Sequence, residues 1–123
     1  MLDRNSVLIL LEECFWDEIE AFTIECVGEF DSDELAVIFT EYLVDYAQLD
    51  EIEQLIITEM EIERDNEVEI VSGKMQLDIS VEGYAHWDGD EEYLGTEETE
   101  ICYKFCFEMM HGKVISEIEL EVL

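Results

Sequence analysis

The hydrophobic period of this chain changes once, near its middle, and that change limits the folds open to it. From Leu8, the apolar residues Leu11, Phe15, Ile19, Phe22 and Cys26 recur every three or four positions and form one helical stripe. Asn5 or Ser6 is placed to cap its start, and Gly28 marks its end. Glu13, Asp17 and Glu20 fall on another face. A second helix is expected from Ser32-Asp33-Glu34, with Leu35, Ile38, Tyr42 and Tyr46 as its stripe, and a short third one over about Leu49 to Leu55. The period then becomes two. Met60, Ile62, Val68 and Ile70 alternate with Glu59, Glu61, Glu63, Glu67 and Glu69, and Arg64-Asp65-Asn66 between the two runs reads as a turn.

After Ser72-Gly73, which reads as a break, Met75, Leu77, Ile79 and Val81 form the next inward row. Trp87-Asp88-Gly89-Asp90 opens a polar loop. Ile101, Tyr103, Phe105 and Phe107 follow as a strand, and His111-Gly112 turns the chain into a last one through Val114, Ile118, Leu120 and Val122. Connections this short favour antiparallel pairing, because parallel strands need a long crossover. The expected fold class is therefore α+β: two or three N-terminal helices packed on one face of a four- to five-stranded antiparallel sheet. With no proline, no Gly/Ser linker and no repeat, residues 1–123 read as one domain, mainly helical over 1–56 and mainly antiparallel strands over 57–123.

Charge is the other constraint. Thirty-five acidic residues stand against five basic ones, for a formal charge of −30, and no Lys or Arg lies between Arg4 and Arg64. Nearly half the residues are hydrophobic, which separates this chain from disordered acidic tails. Self-repulsion on this scale opposes compaction, so the field either suits a high-salt milieu or is used. Halophilic proteins commonly carry Asp and small core residues, whereas this chain is rich in Glu, Ile, Leu, Phe and Tyr. A functional field is the better reading.

Most catalytic chemistry lacks its signature. There is no nucleophile elbow, phosphate loop or H-E-x-x-H, and His86 and His111 both sit beside turns. Cys102 and Cys106, four apart on a strand, would stand about 13 Å from each other, too far for one metal ion. Cys14 and Cys26 lack C-x-x-C spacing, and all four thiols read as small hydrophobes. Asp88-Gly89-Asp90-Glu91-Glu92 lacks the order of an EF-hand and reads as a solvated loop. No enzyme activity, cofactor or metal is expected. No apolar run reaches membrane-spanning length, and Met1-Leu2-Asp3-Arg4 does not open a signal peptide, so the expected compartment is the cytoplasm.

What remains is a set of acidic rows. On a strand, residues i and i+2 share a face about 6.6–6.8 Å apart. Glu59, Glu61 and Glu63 form one row, Glu117, Glu119 and Glu121 another, and Glu67/Glu69 and Glu98/Glu100 form shorter ones. Such spacing is close to that of phosphates along a nucleic-acid strand. The rows other than Glu98/Glu100, together with Asp88, Asp90, Glu91 and Glu92, are the expected partner-binding residues, with Trp87 and Tyr93 as aromatic contacts beside them.

In length, charge and lack of catalytic signature, and in rows such as Glu59-Glu61-Glu63 and Glu117-Glu119-Glu121, the chain resembles the small acidic inhibitors encoded by bacteriophages. These are the DNA mimics that block restriction enzymes and the anti-CRISPR proteins that occupy nucleic-acid grooves. The resemblance is one of character and transfers no motif residue. It implies a basic protein as partner, a nucleic-acid-binding nuclease or effector complex met in the host cytoplasm, and no direct binding of nucleic acid or membrane. An immunity protein or antitoxin that neutralises a basic toxin nuclease is the alternative reading.

Overall fold

A computed structural model describes residues 2–123 and shows three helices followed by a five-stranded antiparallel sheet. The helices are α1 (Arg4–Cys14), α2 (Trp16–Gly28) and α3 (Ser32–Ile38). The strands are β1 (Tyr46–Asp65), β2 (Val68–Trp87), β3 (Asp90–Met110), β4 (Lys113–Val114) and β5 (Glu119–Val122). The sheet order is β1-β2-β3-β4, with β5 also paired to β3.

The expected first helix is broken in two at Phe15. Asp3, rather than Asn5 or Ser6, caps α1 by accepting a 2.8 Å hydrogen bond from the Ser6 N–H. Phe15 leaves the helix with φ −122°, ψ 8°, and its carbonyl receives the Ile19 N–H that opens α2. Its ring is buried against Phe107 with centroids 4.9 Å apart. No glycine or proline announces this break. The one local signal is Asp17-Glu18 in the first turn of α2, where carboxylates complement the helix dipole. Asp31 caps α3 by accepting from the Glu34 N–H at 2.8 Å.

α3 stops at Ile38, short of the expected Tyr42–Tyr46 stripe. Phe39 turns into the core instead, against Gly83, where an added Cβ would lie 2.8 Å from the ring. The expected third helix over Leu49–Leu55 is also overturned, because this segment is strand, part of β1. Its Leu49–Ile52–Leu55 spacing mimics a helix because the buried parity of β1 does not stay constant. Leu55 and Ile57 are buried, but the next half-buried pair is Met60 and Ile62. Two residues, Thr58 and Glu59, thus sit where regular alternation allows one, the signature of a β-bulge.

Ser72-Gly73 does not break the sheet; β2 runs straight through it. Nor is there a polar loop after Trp87. Asp88 (φ 46°) and Gly89 (φ 88°) form a two-residue turn, and β3 starts at Asp90. His111 (φ 52°) and Gly112 (φ 75°) form a second such turn, and positive φ at both positions matches the right-handed twist of hairpin strands.

Contacts group the chain into two compact units. Unit 1 comprises residues 1–19, 55–77 and 101–123; unit 2 comprises residues 20–54 and 78–100. The long strands β1, β2 and β3 contribute residues to both. The core of unit 1 includes Val7, Leu11, Phe15, Val71, Met75, Leu77, Tyr103, Phe105 and Phe107; that of unit 2 includes Val27, Leu35, Phe39, Ala47, Ile79, Val81 and Ala85.

Candidate partner-binding surface

In unit 1 the acidic rows are only partly as expected. Glu59, Glu61 and Glu63 are exposed on β1, on the side opposite Met60 and Ile62. The row Glu117-Glu119-Glu121 is interrupted, because Glu117 lies outside the strand. The chain bends at Ser116, whose hydroxyl accepts the Glu108 N–H at 2.8 Å, and β5 begins only at Glu119. Glu119 faces Cys106 and Glu121 faces Lys104 across the β3–β5 pair. Lys74 lies 3.4 Å from Glu59. Glu59, Glu61, Lys74, Lys104, Glu119 and Glu121 thus line one concave surface on which two lysines already offset the carboxylates. Two of the five basic residues, Lys74 and Lys104, therefore stand among these outward carboxylates.

Glu67 lies in the Asn66-Glu67 turn, and its carboxylate meets the His111 ring at 3.2 Å. Glu69 is overturned as a row member. It is half-buried, sits 3.8 Å from Arg64 and lines a small cavity with Ser6, Ile9, Leu10 and Met109. It therefore faces α1, not the open side of the sheet. Cys102 and Cys106 flank Lys104 on the open side of β3, and all four cysteines are free. Burial, then Glu119, Glu108 and Glu63, pushes the Cys106 thiol pKa up. Among the described residues, no three His, Cys, Asp or Glu side chains come together in a way that could hold a metal ion, and no helix is long and apolar enough to cross a membrane.

Unit 2 has a different electrostatic character. All five Lys and Arg residues, Arg4, Arg64, Lys74, Lys104 and Lys113, belong to unit 1, and unit 2 has none while holding more than half of the acids. Glu53 of β1, Asp78 of β2 and Glu98 of β3 line one surface with Glu100, placing carboxylates across three adjacent strands. Neighbouring strands stand about 4.8 Å apart, so ionised groups in such a row repel strongly. Desolvation, then Glu98, Glu51 and Asp78, raises the Glu53 pKa above the ordinary carboxylate value. Glu98 belongs to a row noted in the sequence. Glu53 and Asp78 were missed, because only strand pairing brings them together.

Asp88, Asp90, Glu91 and Glu92 are all exposed at the β2–β3 turn of the same unit, on a tight hairpin rather than a loop. Trp87 and Tyr93 beside it are exposed, as expected of contact residues. An aromatic cluster stands near them. Tyr46 stacks on Tyr84 (5.3 Å between centroids, 13° between planes) and on His86 (5.0 Å, 29°), and Tyr84 meets Tyr93 at 5.8 Å. The Tyr84 hydroxyl donates to Glu82 at 3.0 Å, and the His86 N–H donates to Asp45 at 2.7 Å. The Tyr46 hydroxyl is buried and forms no hydrogen bond of good geometry, although the Glu91 carboxylate lies near it. Burial, then Glu91, pushes the Tyr46 pKa up to about 12. Of this cluster only Tyr93 was expected from the sequence as a contact residue, and Tyr46 was expected on a helix.

No protein-family model, curated protein or solved structure matches this chain.

Proposed function

We propose that this chain is an acidic protein inhibitor that occupies a basic nucleic-acid-binding groove of a defence nuclease, either a restriction enzyme or a CRISPR effector. The observation that supports this most is the separation of charge: every Lys and Arg falls in unit 1, while unit 2 holds more than half of the acids, the Glu53–Asp78–Glu98 surface among them. Self-neutralising surfaces need no such separation. Carboxylates that repel one another are relieved by cations brought close to them, and a groove that holds phosphates with Lys and Arg supplies such cations. Effectors of this type hold nucleic acid in positively charged channels and read a short duplex element through arginines.

This reading shifts the contact surface from the rows of unit 1 to unit 2. The test is competition. A basic nuclease captured by the protein is loaded with labelled nucleic acid, and displacement is followed as inhibitor is added. Wild type is expected to displace the label. The triple reversal Glu53→Lys, Asp78→Lys and Glu98→Lys is expected to dissociate faster and lose displacement, since close interfacial charge pairs carry about 1.5–7 kcal/mol of coupling. Glu59→Lys with Glu61→Lys, next to Lys74, is expected to change mainly the association rate. A captured nuclease that keeps its nucleic acid at saturating inhibitor overturns the proposal.

A further inference from the structure

The aromatic cluster of unit 2 is not explained by phosphate mimicry, because a phosphate row has no rings. We infer that Tyr84 and Tyr93, with Glu82 and Glu91, form a seat for an arginine side chain of the basic partner, an inference that rests on the partner class proposed above.

The geometry supplies each element of such a seat. Tyr93 is 54% exposed, its ring is tilted 57° to Tyr84, and its hydroxyl contacts Thr96, so the ring is held in place while more than half of the residue remains accessible. Tyr46 and His86 continue the stack behind Tyr84, so the ring cluster is already ordered before a ligand arrives. Glu82 is held at the Tyr84 hydroxyl, and Glu91 acts on both Tyr46 and Tyr84, placing negative charge at the edge of the rings. A guanidinium within about 6 Å of a tyrosine face gains from the ring quadrupole, and its planar fork pairs with a carboxylate at the same time. The protein has no Lys or Arg in this unit to fill the seat itself. Charge complementarity therefore selects a cation from a partner, and the combination of exposed ring and carboxylates selects arginine over lysine.

The experiment compares hexa-arginine with hexa-lysine binding to the full chain by calorimetry at physiological salt, with the tyrosine ring resonances followed by NMR. Hexa-arginine is expected to bind at least about fivefold tighter and to move the Tyr84 and Tyr93 signals. Tyr93→Ala is expected to bring it down to the hexa-lysine affinity, and Tyr93→Phe, which keeps the ring, to preserve the difference. Tyr93 is exposed, so both variants are expected to fold, which circular dichroism checks. Equal affinities for the two peptides, or an arginine preference that survives Tyr93→Ala, overturn the inference. No nuclease enters this assay, so its outcome is independent of the displacement test and the two ideas fail separately.

Discussion

Gly73 lies so close to Glu59 that a Cβ built on it would stand 2.1 Å from the Glu59 carbonyl oxygen. This contact is where the parity of β1 switches, and Thr58 ties the same place by donating to the Lys74 carbonyl at 3.3 Å. The contact is with backbone, so no side-chain rotation relieves it. Gly73→Ala is expected to destabilise the protein by about 1–3 kcal/mol, the usual cost of overpacking. Gly28→Ala, at a position with nothing within 4 Å, is expected to be neutral or mildly stabilising. Urea unfolding midpoints of the two variants check the contrast.

Glu53 offers a test of the carboxylate row of unit 2. Its folded-state pKa is raised above the ordinary 4.5, so the folded protein holds that proton more tightly than the unfolded chain does. The ionised group therefore opposes folding at neutral pH, and this penalty disappears as pH falls through the raised value. Glu53→Gln is expected to raise the urea midpoint at pH 7 and low salt. The gain should shrink as the pH is lowered or as salt screens the row. A gain that grows on acidification would contradict the direction of the shift.

The thiols should differ in reactivity. Cys14 is exposed, whereas the Cys106 pKa is pushed up by burial and by Glu119, Glu108 and Glu63. A raised pKa leaves less thiolate, the reactive form, at any given pH. Iodoacetamide at mildly alkaline pH is expected to label Cys14 first and Cys106 late, by mass spectrometry. Glu119→Gln should speed labelling of Cys106 and leave Cys14 unchanged.

Nucleic acid itself should be repelled. Five cations against 35 acids provide no basic patch from which phosphate counterions could be displaced. No mobility shift is expected with duplex or single-stranded DNA or RNA at physiological salt. A shift would falsify the proposal that the protein replaces nucleic acid in a partner's groove.

Several features of the fold were legible in the residues. The change from a period of three or four to a period of two located helices before strands, and His111-Gly112 marked its turn, whereas Asp88-Gly89, expected to open a loop, is a tight turn as well. The inward sets Met75–Val81 and Ile101–Phe107 were correct, since each strand buries one face and alternation reports it directly. The errors cluster where distant residues intervene. Phe15 leaves its helix for Phe107, Leu49–Leu55 is strand, and Ser72-Gly73 remains in β2 because Gly73 fits against Glu59.

The sequence alone determined the net charge, the order of helices and strands, and the existence of acidic rows, because each is a property of composition or of neighbours a few residues apart. The tertiary structure decided which carboxylates stand together and which are neutralised. Residues 20–54 and 78–100 each lack Lys and Arg along the chain, but only the fold joins these two stretches into one unit. Antiparallel pairing sets Glu121 opposite Lys104 and brings Tyr46, Tyr84 and Tyr93 from three strands into one cluster. Electrostatic and ring interactions fall off over a few ångströms of space. Separation along the sequence does not set that distance; register does.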